Sequence, residues 1–164
     1  MLAIYKVMRY HLSLKRAVSQ YRTDGVNNIW IVKPCYNARG LGIYCIDNCI
    51  LEFQGLVKSQ QCSSKIVQKY IEKPMLLNHF NEIRKFDIRQ WVLITSFDPL
   101  QIYIFSEFYL RICGSKYELD DIQDCFKHLT NFSIQKHNQK VSNKDEDLVM
   151  SQKDFFEKVL KNDL

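Results

Sequence analysis

The chain has 164 residues, 46% hydrophobic and 13% aromatic, with 23 Lys and Arg against 18 Asp and Glu for a formal net charge of +5. That length and apolar content suit one folded domain with its own core and exclude a disordered chain, which would be poorer in both. The basic residues are scattered. An acidic partner or a polyphosphate is therefore expected rather than a nucleic acid, whose binding surfaces cluster their cations.

No basic stretch leads into an apolar core at the start, and no apolar run approaches membrane-spanning length, so a soluble intracellular protein with no membrane partner is expected. Cys35, Cys45, Cys49, Cys62, Cys113 and Cys125 contain no C-x-x-C pair. Buried or half-buried free thiols are expected from them, and neither disulfides nor a zinc site.

In chain order, residues 2–20 read as a helix. Leu2, Tyr5, Val7, Met8, Leu12 and Leu14 mix with Lys6, Arg9, Lys15 and Arg16, without Gly or Pro. A surface helix is preferred to a membrane-binding one. Thr23 to Gly25 and Asn27-Asn28 are turn chemistry. A strand starts at Ile29–Val32 and stops at Pro34, and Cys35–Gly42 is a flexible loop. A short strand follows at Ile43–Ile46, then a turn at Asp47-Asn48. Lys65–Ile71 is a strand ahead of Pro74.

Phe86–Thr95 alternates, which puts Asp87, Arg89, Trp91 and Leu93 on one face and Ile88, Gln90, Val92 and Ile94 on the other. A turn at Asp98-Pro99 joins it to a strand over Gln101–Ile112 in an antiparallel hairpin, with Glu107 and Arg111 on one face. Residues 115–127 are acidic and loop-like or weakly helical. The polar text from Gln139 to Asp147 reads as a mobile loop. Ser151 with Asp154 forms a capping box that opens a last amphipathic helix through Phe155, Phe156, Val159 and Leu160. A division at residue 138 follows, with a main domain over 1–138 and a polar loop plus helix over 139–164. There are no internal repeats. Strands dominate the middle without regular strand–helix alternation, so the fold class is α+β.

Four polar clusters lie within these elements. Lys33 ends a strand ahead of Arg39-Gly40-Leu41-Gly42, where glycines let backbone amides approach phosphate oxygens and the cations supply charge. The loop is neither a Walker A sequence nor a dinucleotide fingerprint, and a solvated turn is the plain alternative. Gln68-Lys69-Tyr70-Ile71 is a strand whose backbone edge suits an adenine, or simply another strand. Lys85, Asp87 and Arg89 aim both signs of charge at one place. Either Asp87 belongs to a structural ion pair, or it takes a ribose hydroxyl while Arg89 meets a phosphoryl group, with Arg111 joining from the neighbouring strand. His128-Leu-Thr130-Asn131 adds hydroxyl and amide groups, and His128 reads as a packed or capping histidine.

Taken together, Ile29-Trp-Ile-Val-Lys-Pro34, Ala38-Arg-Gly-Leu-Gly-Ile43, Ile66-Val-Gln-Lys-Tyr-Ile-Glu-Lys-Pro74, Lys85-Phe-Asp-Ile-Arg-Gln-Trp-Val-Leu93 and His128-Leu-Thr-Asn131 resemble the tubulin tyrosine ligase-like family of ATP-grasp ligases. The match runs in order from about residue 20 to residue 138. Arg39 to Asp47 and Asn131 to His137 look most like its glycylase branch.

The resemblance implies an ATP-grasp fold, present here in part, in which nucleotide lies between two α+β lobes. It implies ATP contacts from Lys33, Arg39, Gly40, Gln68, Lys69, Tyr70, Ile71, Lys85, Phe86, Asp87, Thr130 and Asn131. Ser133 would face the protein substrate, and Arg89 and Arg111 are the catalytic candidates. The implied reaction activates a target glutamate as an acyl phosphate, which free glycine then displaces. The implied partners are tubulin or microtubules with acidic tails, at the cytoskeleton and in the cilium or axoneme. Magnesium is expected from the family, but its ligands, an Asp and a Glu-x-Asn, would follow the resembled segment. Asp145-Glu-Asp147, Asp154, Glu157 and Asp163 lack the strand context for them, so the metal set is read as none. A fragment or a degenerate member of the family is the expectation.

Overall fold

The computed structural model describes residues 13, 16–18, 23–47, 54–55, 64–141 and 147–160, with residues 159 and 160 described by their backbone alone. The helix expected over 2–20 lies mostly outside these residues, although Ser13, Arg16 and Ala17 are helical. Residues 142–146 of the expected polar loop, Asn48 and the Cys49 and Cys62 thiols also lie outside them. The chain forms two compact units, one of residues 1–37 and 42–74, the other of residues 38–41 and 75–164.

The first unit holds a three-stranded antiparallel sheet of β1 (Trp30–Pro34), β2 (Tyr44–Ile46) and β3 (Lys65–Lys69), in the order β2-β1-β3. β-Branched residues favour this pleated pairing, and Val32 sits opposite both Tyr44 and Val67. Ile29, Val32, Cys45 and Tyr70 are buried. Opposite Ile66, and on the same face as Gln68, Lys33 occupies the side of the sheet where Ile66 and Gln68 stay exposed.

The second unit holds β4 (Leu76–His79), β5 (Glu82–Phe97), β6 (Leu100–Ile112) and β7 (Val149–Ser151) in a four-stranded antiparallel sheet of that order. Among the described residues it is accompanied by the short helices α1 (Cys125–His128), α2 (Phe132–Gln135) and α3 (Gln152–Phe155), the last continuing as a π-helical turn over Phe156–Leu160. The expected hairpin is β5–β6, turning at Asp98-Pro99. Half of the expected capping box forms: Ser151 Oγ accepts from the Asp154 N–H at 3.1 Å, while the Asp154 carboxylate accepts from the Ser151 hydroxyl at 2.9 Å rather than from its backbone N–H. The core gathers Leu77, Leu110, Ile112, Met150 and Phe155, with Phe86 and Phe108 packed against it.

The structure differs from the sequence reading in two places. β4 and β7 were not expected, and β5 starts at Glu82 because Leu76 to His79 supply it with a partner. The register shifts between Gln90 and Val92, where β5 advances two residues against four of β6, a bulge on β6 that the sequence reading did not expect, while Arg89 and Trp91 keep one face. Residues 149–160 belong to the second unit, to which β7 joins them. No helix among the described residues is long and apolar enough to cross a membrane.

Candidate functional site

In the second unit the two faces of β5 carry different chemistry. Phe86, Ile88 and Gln90 lie opposite Ile112, Leu110 and Phe108; Phe86 packs on the core, while Ile88 stays exposed. Phe86 is therefore turned inward, its ring 5.9 Å from that of Phe155. Lys85, Asp87 and Arg89 lie on the other face, where Asp87 pairs with Arg111 and Arg89 with Tyr109.

Arg111 donates to Asp87 through both Nε (2.9 Å) and Nη2 (2.5 Å), and Thr130 Oγ1 adds a third bond at 2.8 Å. The bonds to Asp87 raise the proton affinity of Arg111 against the opposing effect of burial. Of the alternatives left open by the sequence, the ion pair is thus present, and its cation is Arg111. Arg89 lies instead over the Trp91 ring, 5.4 Å from its centroid. Lys85 Nζ donates to the His128 carbonyl at 3.0 Å. His128 is buried, its Nε2 3.1 Å from the Asp121 carbonyl and its ring edge-on to Tyr117, as a packed histidine should be. Burial pushes the neighbouring Cys113 thiol up to about 12, so that sulfur is inert.

The loop tip at residues 38–41 belongs to the same unit. Arg39 (φ 61°) and Gly40 (φ 85°) are both left-handed. A Cβ at Gly40 would stand 2.9 Å from the Asn131 side chain, so only glycine fits. Ser133 Oγ donates to the Arg39 carbonyl at 2.5 Å. Asn131 and Ser133, at the start of α2, thus hold the loop. Behind α2, Gln135 is fully buried: its Oε1 accepts from the Gly114 N–H, and its Nε2 donates to the carbonyls of Phe126 and Leu129.

These pieces border an open cleft of about 690 Å³. Arg39, Arg89, Arg111 and Lys136 line it, Asn131 and Ser133 add polar atoms, and Trp91, Tyr109 and Phe132 give apolar surface. No carboxylate lines it among the described residues. Clustered guanidinium groups bind planar or tetrahedral anions through forked donors, so the cleft suits a carboxylate or a phosphate.

In the first unit, Lys33 Nζ donates to Gln68 Oε1 at 2.7 Å on the exposed side of the sheet. Lys69 is committed elsewhere: its ammonium donates to the carbonyls of Asp24, Ile29 and Tyr70 and to Glu72. Tyr70 is buried and its N–H donates to the Ile29 carbonyl. Ile71 is 39% exposed, and no hydrogen bond engages its N–H or C=O among the described residues.

Sequence reasoning did not single out Glu72, Gln135 or Lys136. Glu72 had a signal in hindsight, an acid at the end of a strand shortly before Pro74; a buried Gln has none. Among the described residues no three His, Cys, Asp or Glu side chains gather as a metal site. Magnesium beside a nucleotide needs only one or two carboxylates, and no residue is assigned to it.

The sequence pattern of the tubulin-tyrosine ligase family matches residues 3–163. Tubulin glycylase 3E of Tetrahymena thermophila is 43% identical over 157 residues, 93% of this chain and 11% of that protein. Tubulin monoglycylase TTLL3 of Danio rerio is 41% identical over 130 residues, covering 77% and 16% respectively. Protein monoglycylase TTLL8 of Mus musculus is 41% identical over 121 residues, covering 71% and 14%. The chain thus spans well under a fifth of the length of these relatives. With a family match over nearly its whole length and such identities across its sheets, the chain belongs to the tubulin-tyrosine ligase family.

Proposed function

We propose that this chain carries part of an ATP-dependent protein–glycine ligase, which joins glycine to glutamate side chains of tubulin tails. The observation that carries the proposal is the cleft walled by Arg39, Arg89, Arg111 and Lys136 and free of carboxylates among the described residues. A ligase of this kind must hold several anions at once: the phosphates of ATP, the glutamate to be activated and the carboxylate of glycine. Relatives named as tubulin glycylases and monoglycylases support that choice of substrates.

In this reading each residue has a defined task. Arg89 neutralises charge on the acyl phosphate or on the incoming glycine, and the Trp91 ring under its guanidinium fixes its direction. Arg111, anchored by Asp87, is held rigidly enough to orient an anion without a further entropic cost. The Arg39–Gly40 tip, held by Ser133 and Asn131, offers backbone and guanidinium donors to phosphate oxygens. Lys33 would add charge in the first unit, and the strand end at Gln68 to Ile71 would meet the adenine. A net charge of +5 favours approach of an acidic tail. Such an enzyme would act in the cytoplasm on microtubules, including those of a cilium or axoneme.

The test is a chimera. Residues of this chain replace the matching segment of the Tetrahymena thermophila glycylase, and incorporation of labelled glycine into tubulin is measured with ATP present. The chimera should label tubulin, and Arg89→Ala should lower the rate by ~10²–10³, the scale for losing one charge-stabilising group. Binding of ATP or microtubules without any labelling would favour the alternative, a non-catalytic module derived from this family. An unchanged rate in Arg89→Ala would remove Arg89 from the site.

A further inference from the structure

The Glu72 side chain is 1% exposed. Its Oε2 accepts from the Asn27 N–H at 2.8 Å, and its Oε1 from the Ile29 N–H at 3.1 Å and from Lys69 Nζ at 2.7 Å. The carboxylate therefore ties the segment entering β1 to the segment leaving β3. Gly25 is part of the fit, since a Cβ there would stand 2.1 Å from Glu72 Oε2. Burial alone would raise the Glu72 pKa, but Lys69 and the two backbone N–H groups outweigh it and hold it low. A buried carboxylate on this many donors fixes geometry, because its partners cannot move without losing charge-assisted bonds.

What it fixes is the backbone just before it. Tyr70 is held by Ile29 and by Lys69, while Ile71 presents its N–H and C=O to no partner among the described residues. We propose that Glu72 is a positioning residue: it holds the Ile71 N–H and C=O where the edge of an adenine base can bond to them. Lys69 shares this task and does not contact phosphate, its ammonium being bound to three carbonyls and to Glu72. The inference rests on the reading of the chain as ATP-binding.

Titration calorimetry of the 164-residue chain with ATP and with adenosine tests it, alongside circular dichroism to check folding. Glu72→Gln places an amide N–H against backbone donors and should weaken ATP and adenosine by the same factor, about tenfold, or 1.4 kcal/mol. Lys33→Ala should weaken ATP and leave adenosine unchanged. A merely structural Glu72 would lower the melting temperature and leave both affinities as they were at a temperature where the variant is folded, which overturns the proposal. Should Glu72→Gln not fold, the double variant Lys69→Met/Glu72→Gln removes the stranded ammonium and is read in the same way. A measurement without variants stands beside these. Adenosine should shift the Ile71 amide signal of the ¹⁵N-labelled wild-type chain, and binding that leaves Ile71 unmoved overturns the proposal. A wild-type chain that binds neither ligand overturns the ATP reading itself, and this role with it.

Discussion

Burial lowers the proton affinity of the His128 imidazole, and its bond to the Asp121 carbonyl offsets this only in part. His79 is shifted the same way, by burial first, with Arg84 and Lys158 adding to it. The unfolded chain takes up protons near the ordinary histidine value of about 6.5, the folded chain only at lower pH. Their contribution to stability is therefore complete above that value and is lost as pH falls through it toward the folded values. Urea unfolding at pH 7.5 and at pH 5.5 should show the loss, and His128→Gln should make it smaller. An equal loss in both proteins would mean that His128 titrates freely in the fold. Asp87 is engaged within the chain itself. Its carboxylate already has Arg111 and Thr130, so any nucleotide contact it makes must be added to an occupied group.

Short elements in this fold depend on single side chains. The α3 helix has four residues before it widens into the π turn, yet it carries Phe155 into the core against Phe86 and Phe108. Such a helix has little intrinsic stability, so its cap weighs more. Ser151→Ala removes the acceptor for the Asp154 N–H and should cost about 1 kcal/mol in chemical denaturation. An unchanged midpoint would show that β7 and Phe155 hold the helix without its cap. This cap was legible in the sequence because capping chemistry is local, as was the β5–β6 hairpin, where alternation runs into a turn at Asp98-Pro99. β4 was not legible: it has four residues, and its turn to β5 is made by Phe80 and Asn81 at positive φ with no glycine to announce it. β7 has three residues and gains its identity only by pairing with Tyr109 to Arg111. The candidate site was read in the same uneven way. Charged residues on one strand face could be placed together from sequence, but the partner of Asp87 and the burial of Glu72 depend on which strand lies beside which.

At the scale of the whole molecule, the far half of the β5–β6 hairpin sets the behaviour of the isolated chain. β4 pairs only with Glu82 to Lys85, and β7 only with Tyr109 to Arg111. Beyond them the hairpin is a two-stranded ribbon with both outer edges open among the described residues. Its side chains are apolar on both faces, and exposure runs from 46% at Ile94 to 82% at Phe97, with Trp91, Leu93, Ile102, Tyr103, Ile104 and Phe105 in between. A ribbon without a third strand is marginal in water, and open apolar edges pair with other chains. Amides of residues 92–97 and 100–105 should therefore exchange with solvent faster than those of residues 109–112, which lie beside the buried core. The chain should also self-associate with rising concentration in sedimentation velocity. Ile94 and Ile102 stand directly opposite each other, so the pair Ile94→Lys and Ile102→Glu keeps the ribbon with a cross-strand ion pair while removing two apolar groups. That variant should stay monomeric at concentrations where the wild type associates. A wild-type chain that is monomeric throughout, with the ribbon as protected as residues 109–112, would show that these strands are stable without any cover.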